Sequence, residues 1–175
     1  MPQSTPANVF TPLPLPSEAD LAQRGQHVFT LYQQGRLQEA EQAARDLTQR
    51  APQHGFGWKA LGMILNRLDR KNEALPAMQQ AAKLLPRDAE AFNNLGVLFR
   101  EANELKFALA CYEHATKVNP SFLPALDNLI RLLTHMKQQQ DLLPLLRRKL
   151  ALVPDDESAR QQIAELERDS SVPSA

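Results

Sequence analysis

The stretch from Ala91 to Pro120 reads AFNNLGVLFREANELKFALACYEHATKVNP, and the spacing of its apolar residues decides the fold. These residues form two groups with helical intervals: Phe92, Leu95 and Phe99, then Ala108, Tyr112 and Ala115. Each group marks one apolar stripe along a helix. The stretch therefore predicts two amphipathic helices, the second of which ends before Pro120.

The same code occurs in the preceding part of the chain, where each residue takes the same place in its unit. The equivalent residues there are Trp58, Leu61, Gly62, Leu65, Ala74, Met78, Ala81 and Pro86. Four prolines repeat the interval of 34 residues along the chain: Pro52, Pro86, Pro120 and Pro154. A fixed period of this length predicts a solenoid, in which each helix pair buries its apolar side by stacking on its neighbours.

This eight-position code resembles the tetratricopeptide repeat (TPR) family, in which an aromatic residue, Leu-Gly, Ala, an aromatic residue, Ala and Pro recur in that order. The resemblance implies an all-α protein, a right-handed α-solenoid of four helix-turn-helix units and a C-terminal capping helix. We expect a TPR domain over 17–169, with units at about 21–54, 55–88, 89–122 and 123–155 and the cap at 156–169.

Small residues are expected where the two helices of a unit approach each other. Gly62 is expected to face Ala74, and Gly96 to face Ala108, because a larger side chain would hold the helix axes apart. The residues at the turn between the helices are Gly35, Asp69, Asn103 and Lys137. The first three favour the left-handed conformation that ends a helix.

The two ends of the chain differ from the repeats. Residues 1–16 are rich in proline and are predicted to be an extended or disordered tail. Ser17 and Asp20 approximate a capping box, so the first helix is expected to begin near Glu18. Residues 170–175 are predicted to be a disordered end. An alternative for the tail is that it occupies the groove through Val9, Phe10, Leu13 and Leu15.

Composition narrows the possible environments and partners. The 175 residues are 43% hydrophobic and 23% charged, their formal net charge is zero, and their apolar runs are short. We therefore expect no membrane insertion and no nucleic-acid partner. A single cysteine and the absence of a secretory signal pattern favour a cytoplasmic location.

No arrangement of catalytic or metal-binding residues is visible in the sequence. The four histidines lie in separate units, and only Cys111 and His114 share a helix at short spacing. Two ligands are too few for a zinc site, and a small buried cysteine is the commoner case. We predict that the protein is not an enzyme, with no catalytic residues, no metal and no cofactor.

The family resemblance implies that the first helix of every unit lines a concave groove. The candidate groove residues are Phe29, Tyr32, Phe56, Lys59, Met63, Asn66, Arg67, Asn93, Asn94, Val97, Arg100, Asp127, Asn128 and Arg131. Asparagine amides both donate and accept hydrogen bonds, which suits the backbone of an extended peptide, whereas arginine and lysine select acidic groups. We expect a protein–protein interaction scaffold that binds an extended segment of another protein.

Two groove types known in the family can be compared with these positions. The carboxylate clamp of chaperone-binding TPR domains is matched by Lys59 and Asn94, but Met63, Pro124 and Asn128 occupy its other positions. The missing cations leave a terminal carboxylate poorly neutralised. The resemblance therefore does not imply binding to a heat-shock chaperone.

The asparagine ladder of O-linked N-acetylglucosamine transferases is matched by Asn94 and Asn128, with a gap at Ala60. This resemblance implies an alternative function, the substrate-recruiting arm of a protein-modifying enzyme such as a glycosyltransferase. A third possibility is an assembly factor for a subunit of an envelope machine.

The fourth unit carries more leucines than one helical stripe can bury. Between Asp141 and Pro154 they are Leu142, Leu143, Leu145, Leu146, Leu150 and Leu152, together with Val153. The capping helix is expected to cover part of this set. An uncovered remainder would form a surface for a weak homodimer.

Overall fold

The computed structural model describes residues 17–171, and every regular element in this range is helical. The helices are α1 (Glu18–Gln33), α2 (Leu37–Arg50), α3 (Gly55–Arg67), α4 (Lys71–Leu84), α5 (Ala89–Glu101), α6 (Leu105–Val118), α7 (Leu123–His135), α8 (Leu142–Leu152) and α9 (Glu157–Ser171). A short 3-10 helix, Gln139–Asp141, precedes α8. The predicted tail at 1–16 lies outside the described residues, as do residues 172–175.

Consecutive helices pack as antiparallel pairs, α1 with α2, α3 with α4, α5 with α6 and α7 with α8. Each pair also packs on the next one, because the second helix of one unit contacts the first helix of the unit that follows. The first helices touch one another as well, in the order α1, α3, α5 and α7. The all-α repeat fold predicted from the 34-residue period is therefore confirmed.

The turn inside each unit has the left-handed backbone that the sequence predicts. The φ angles are 72° at Gly35, 59° at Asp69, 62° at Asn103 and 57° at Lys137. Lysine is not a residue that favours this region. Lys137 nevertheless adopts the left-handed conformation, so the fourth unit forms the same turn as the units that have Gly, Asp or Asn at this position.

The glycines of the second and third units allow close helix packing, but their partners differ from the expected ones. A Cβ atom on Gly62 would lie 2.8 Å from Cε of Met78, and one on Gly96 would lie 2.6 Å from Cε1 of Tyr112. The nearest atoms to these positions therefore belong to Met78 and Tyr112 rather than to the expected Ala74 and Ala108. Large side chains one turn further along the second helices use the space that the missing Cβ atoms leave.

The ends of the solenoid are closed by local hydrogen bonds and by α9. Ser17 Oγ accepts a hydrogen bond from the Asp20 backbone N–H at 3.2 Å, so α1 begins at Glu18 as predicted. At the other end, Ala159, Ile163 and Leu166 of α9 pack on the core of the fourth unit. This stripe caps the fourth unit.

The last helix, α9, extends to Ser171, two residues beyond the expected end of the cap at Asp169. The disordered end at 170–175 stays a prediction. A polar sequence can continue a helix at its end because the backbone hydrogen bonds form within the segment itself. The break in composition after Asp169 therefore did not mark the end of the helix.

Candidate functional site

The first helices α1, α3, α5 and α7 form one continuous side of the described solenoid, which is called the inner face below. Side chains bridge each neighbouring pair along it. The ring of Phe56 on α3 packs on Gly25 of α1, where an added Cβ would lie 3.1 Å from Cε1. Further on, Asn128 Nδ2 on α7 donates to Asn93 Oδ1 on α5 at 2.9 Å. Residues from different units are therefore brought together on one surface.

Apolar side chains on the inner face remain partly open to solvent. Phe29 is 45% exposed, and it is one of the few large hydrophobic residues in the described chain with this much open surface. Met63 and Val97, at the same position in the next two units, are half-buried against the core. They form a shallow apolar stripe along the inner face.

An aromatic residue and an arginine meet beside this stripe. The guanidinium carbon of Arg67 lies 5.1 Å from the centroid of the Tyr32 ring, a distance typical of a cation–π contact. Arg67 Nη1 also donates to the Tyr32 backbone oxygen at 3.4 Å. These two predicted groove residues therefore hold each other in place between α1 and α3.

Lys59 is committed to internal ion pairs. Its Nζ lies 2.7 Å from Oδ2 of Asp88 and 2.9 Å from Oε2 of Glu90, and its side chain is only 12% exposed. Burial acts to lower the pKa of Lys59, but the hydrogen bonds to the two carboxylates outweigh it, so the pKa is raised. The side chain joins α3 to the start of α5 and leaves little of its charge for a partner.

The acidic partners of Lys59 were not among the predicted groove residues. Asp88 also caps α5, since its Oδ1 accepts from the Ala91 backbone N–H at 3.0 Å. Burial acts to raise the pKa of Asp88, whereas the hydrogen bonds from Lys59 and Ala91 lower it, and the net pKa is lowered. An aspartate directly before an apolar helix was a visible capping signal, but its lysine partner is 29 residues away in sequence.

The asparagines of the inner face divide into engaged and free side chains. Asn93 is 6% exposed, and its amide oxygen already accepts from Asn128. Asn66 and Asn94 are half-buried, and neither side-chain amide forms a hydrogen bond with the described side chains or backbone. Asn66 and Asn94 are thus open to a bound segment, whereas Asn93 serves to position Asn128.

Asp127, another predicted groove residue, faces the second helix of its own unit. Its Oδ1 lies 2.8 Å from Nζ of Lys149, which also pairs with Asp156 at 2.9 Å. Lys149 stands at a position that the second and third units give to alanine, and the two carboxylates neutralise it there. Hydrogen bonds to Asp127 and Asp156 raise the pKa of Lys149. The carboxylate of Asp127 therefore stabilises the fourth unit.

The remaining predicted cations, Arg100 and Arg131, line a cavity of about 310 Å³ between α5 and α7. Neither forms an ion pair with the described part of the chain. Arg131 Nη1 contacts Asn128 Oδ1 at 3.4 Å, a long hydrogen bond. This cavity combines residues of two units, which could not be deduced from either helix alone.

The described residues contain no group of three or more histidine, cysteine or acidic side chains that could hold a metal ion. Cys111 is buried, and burial raises the pKa of its thiol to about 11, so the thiol is protonated at neutral pH. His114 Nε2 lies 3.0 Å from the Pro86 backbone oxygen, and its ring packs on Phe92. Cys111 and His114, the pair noted in the sequence, are thus both accounted for by contacts within the fold.

Helix pairs repeated with a 34-residue period and a side built from the first helices define a TPR-type helical-repeat protein. The model of the family described as "Psidin, N-terminal TPR repeats region" matches residues 23–151, more than half of the chain. The chain belongs to this family of TPR proteins. The TPR resemblance noted from the sequence is confirmed.

Solved structures of TPR proteins share the fold at low sequence identity. A MamA structure superposes with a TM-score of 0.71 at 17% identity, over 82% of this chain and 84% of that chain. YrrB, described as a TPR protein with an unusual peptide-binding site, gives a TM-score of 0.66 at 20% identity, over 83% and 75%.

An O-GlcNAc transferase from Thermobaculum terrenum gives a TM-score of 0.62 at 21% identity, over 66% of this chain and 22% of that chain. These likenesses show the fold. A comparison with curated proteins gives no match.

Proposed function

We propose that this protein is an interaction scaffold that binds an extended segment of another protein along the inner face. The observation that carries the proposal is the exposure of Phe29, 45% open to solvent, on the same face as Asn66 and Asn94, whose amides have no partner in the described part of the chain. An exposed aromatic ring is a typical anchor for a partner, and free amides can pair with its backbone.

The chemistry of this face suits a peptide whose backbone is extended. Fully burying a phenylalanine contributes about 1.5–3 kcal/mol, so covering the open part of Phe29 contributes about 1 kcal/mol. The amides add hydrogen bonds that do not depend on the partner's sequence. Affinity would then come from several modest contacts spread over successive units.

The similarity to YrrB supports a peptide ligand, because that TPR protein has a peptide-binding site. No helix between residues 17 and 171 is long and apolar enough to span a membrane. The partner, the expected cytoplasmic location and the expected absence of enzymatic activity, cofactor and nucleic-acid binding stay predictions.

An alternative function is the recruitment of substrates for a protein-modifying enzyme such as a glycosyltransferase. It is supported by the likeness to an O-GlcNAc transferase and by Asn94 and Asn128 at the ladder position. The amide of Asn128 is engaged with Asn93, however, so only Asn94 offers a free ladder side chain. Co-purification of a glycosyltransferase with the bound substrate would favour this alternative.

Self-association through the fourth unit is a separate proposal. Packing of α9 leaves Leu152 39% exposed, and Leu143, Leu145 and Leu150 are half-buried. We expect a weak dimer in sedimentation at high protein concentration that is lost in Leu152→Glu. A monomer at every concentration would contradict it.

Affinity capture with matched variants tests the scaffold proposal. Phe29→Ser combined with Asn94→Ala removes one anchor and one free amide from the inner face. The control, Phe107→Ser combined with Asn72→Ala, makes the same chemical changes on the second helices, where Phe107 is 58% exposed. Each protein is immobilised, and retained proteins from the native lysate are quantified by mass spectrometry.

We expect a partner that is retained by the wild type and the control and is lost from the inner-face variant. Re-binding of a synthetic extended segment from that partner would then identify the recognised sequence. Equal retention by all three proteins would place binding elsewhere on the molecule and contradict the proposal.

A further inference from the structure

The cavity between α5 and α7 combines residues of the third and fourth units and has a distinct chemical character. Its polar lining consists of Arg100 and Asn103 on one side and Asn128, Arg131 and His135 on the other, while two leucines form its apolar wall. With a volume of about 310 Å³, it lies at the lower end of the range for ligand sites. Such a space suits a single side chain or chain terminus.

The arginines of this cavity lack the acidic partners that several other arginines of the described chain possess. At the N-caps of α2 and α4, Arg36 pairs with Glu39, and Arg70 pairs with Glu73 and Glu41. No carboxylate among the described side chains lies within 4.0 Å of the guanidinium nitrogens of Arg100.

The same holds for Arg131 and for the ring nitrogens of His135. Glu101, next to Arg100 in sequence, is paired with Lys71 at 3.2 Å. The cavity therefore holds two uncompensated positive charges.

The charges of both arginines act on a buried tyrosine. The side chain of Tyr112 is fully buried, its ring packs against Gly96, and its hydroxyl oxygen has no hydrogen-bond partner among the described residues. Burial raises the pKa of Tyr112, whereas the charges of Arg100 and Arg131 act to lower it. Cations next to such a dry, apolar core attract an anion more strongly than they would in open water.

We propose that this cavity binds a carboxylate of the protein segment held by the inner face, with Arg100 and Arg131 as the two guanidinium donors. The proposal rests on the scaffold function proposed above. Planar guanidinium groups match the two oxygens of a carboxylate, and Asn103 or Asn128 can add an amide donor. An extended segment that covers Val97 would reach Arg100 one helical turn further along α5.

The experiment uses the full chain and three pools of synthetic twelve-residue peptides with random flanking positions. The first pool carries a central glutamate and an amidated C-terminus, the second replaces the glutamate by glutamine, and the third has that glutamine and a free terminal carboxylate. Peptides retained on the immobilised protein are identified and quantified by mass spectrometry. The wild type is compared with Arg100→Gln/Arg131→Gln.

A matched control removes two other positive charges. Lys83→Gln/Lys106→Gln changes exposed lysines on α4 and α6 that form no ion pair with the described residues, so its net charge equals that of the arginine variant. Circular dichroism and urea unfolding verify that all three proteins fold alike. We expect the arginine variant to be as stable as the wild type, because neither arginine forms a salt bridge in the described structure.

We expect the wild type and the lysine control to retain a carboxylate-bearing pool at least about tenfold better than the glutamine amide pool, and the arginine variant to lose this preference. Preference for the first pool identifies an acidic side chain as the ligand. Preference for the third pool identifies a chain terminus, and both results support the carboxylate site.

Equal retention of all pools, lost on Phe29→Ser/Asn94→Ala but unchanged in the arginine variant, would overturn the carboxylate site and leave the scaffold function standing. Retention of no pool by the wild type would overturn both proposals. A carboxylate preference that survives in the arginine variant would also refute the assignment to Arg100 and Arg131.

Discussion

The two halves of the inner face treat their positive charges in opposite ways. Between α3 and α5, Lys59 is neutralised by Asp88 and Glu90 at 2.7 and 2.9 Å. Between α5 and α7, Arg100 and Arg131 face a cavity, and no described carboxylate neutralises them. Similar residues at inward positions of one repeat therefore stabilise the fold in one half and remain open to a ligand in the other.

The asparagines show the same division within a single pair of units. Asn94 and Asn128 occupy the same position of successive units, yet Asn128 is hydrogen-bonded to Asn93 and Asn94 has no partner among residues 17–171. A repeat code therefore does not by itself assign a role. The role depends on what the neighbouring unit places opposite.

The largest effect is expected when the ion pairs of Lys59, between α3 and α5, are broken. Lys59→Met leaves Asp88 and Glu90 without their cation, and because the site is partly buried we expect the free energy of unfolding to fall by about 2 kcal/mol. This value lies between those of exposed and fully buried pairs. Arg131→Met, which breaks no ion pair, should change it by less than about 0.5 kcal/mol. Urea denaturation at pH 7 measures both.

Acid titration sharpens the same comparison. The pKa of Asp88 is lowered in the folded protein, so its contribution is present above the unfolded pKa of about 3.9 and is lost as the pH falls through the folded value. In Lys59→Met the pKa of Asp88 should rise. The free energy of unfolding should then fall less steeply as the pH is lowered through this window. Identical slopes for the two proteins would contradict a stabilising pair.

The second-largest expected effect distinguishes Asn128 from Asn94. Asn128→Ala leaves the buried Asn93 oxygen without a donor and should lower the free energy of unfolding by about 1–2 kcal/mol. Asn94→Ala should leave it within about 0.5 kcal/mol of the wild type. Both variants are measured by thermal and urea unfolding. Equal destabilisation would show that Asn94 also has a structural partner.

The smallest expected effect concerns the buried hydroxyl of Tyr112. Because this buried oxygen has no partner among the described residues, Tyr112→Phe should increase the free energy of unfolding by about 1 kcal/mol. Removal of a hydrogen-bonded tyrosine hydroxyl would instead decrease it. Urea unfolding gives the sign, and a clear decrease would reveal a hydrogen bond to this group.

Much of the architecture could be predicted because its determinants are local. The spacing of Trp58, Leu61 and Leu65 defines a helix stripe, and Ser17 marks the start of α1. The contacts of Gly62 could not be predicted, because the choice between Ala74 and Met78 depends on the depth and rotation of the packed helices. Local codes determine elements, whereas interhelical registry determines contacts.

The candidate site was predictable only as a set of positions. Sequence reasoning placed Phe29, Met63 and Asn94 on one surface, and the structure leaves them at least partly open. It could not separate Lys59 and Asp127, which are engaged in ion pairs, from Arg100 and Arg131. The acidic partners of Lys59 lie one unit away, and the lysine partner of Asp127 lies one helix away. No local sequence pattern encodes these separations.

The sequence by itself determined the period, the helix pairs, the turns and the family, because each depends on residues within one repeat. Only the tertiary structure decided which inward side chains remain available, because that depends on the helices that stack beside them. Asp88 removes Lys59 from the available charges, and Asn93 removes Asn128 from the available amides. Stacking without acidic neighbours leaves Arg100 and Arg131 uncompensated, since a charge is neutralised by what lies within a few ångströms of it rather than by its place in a repeat.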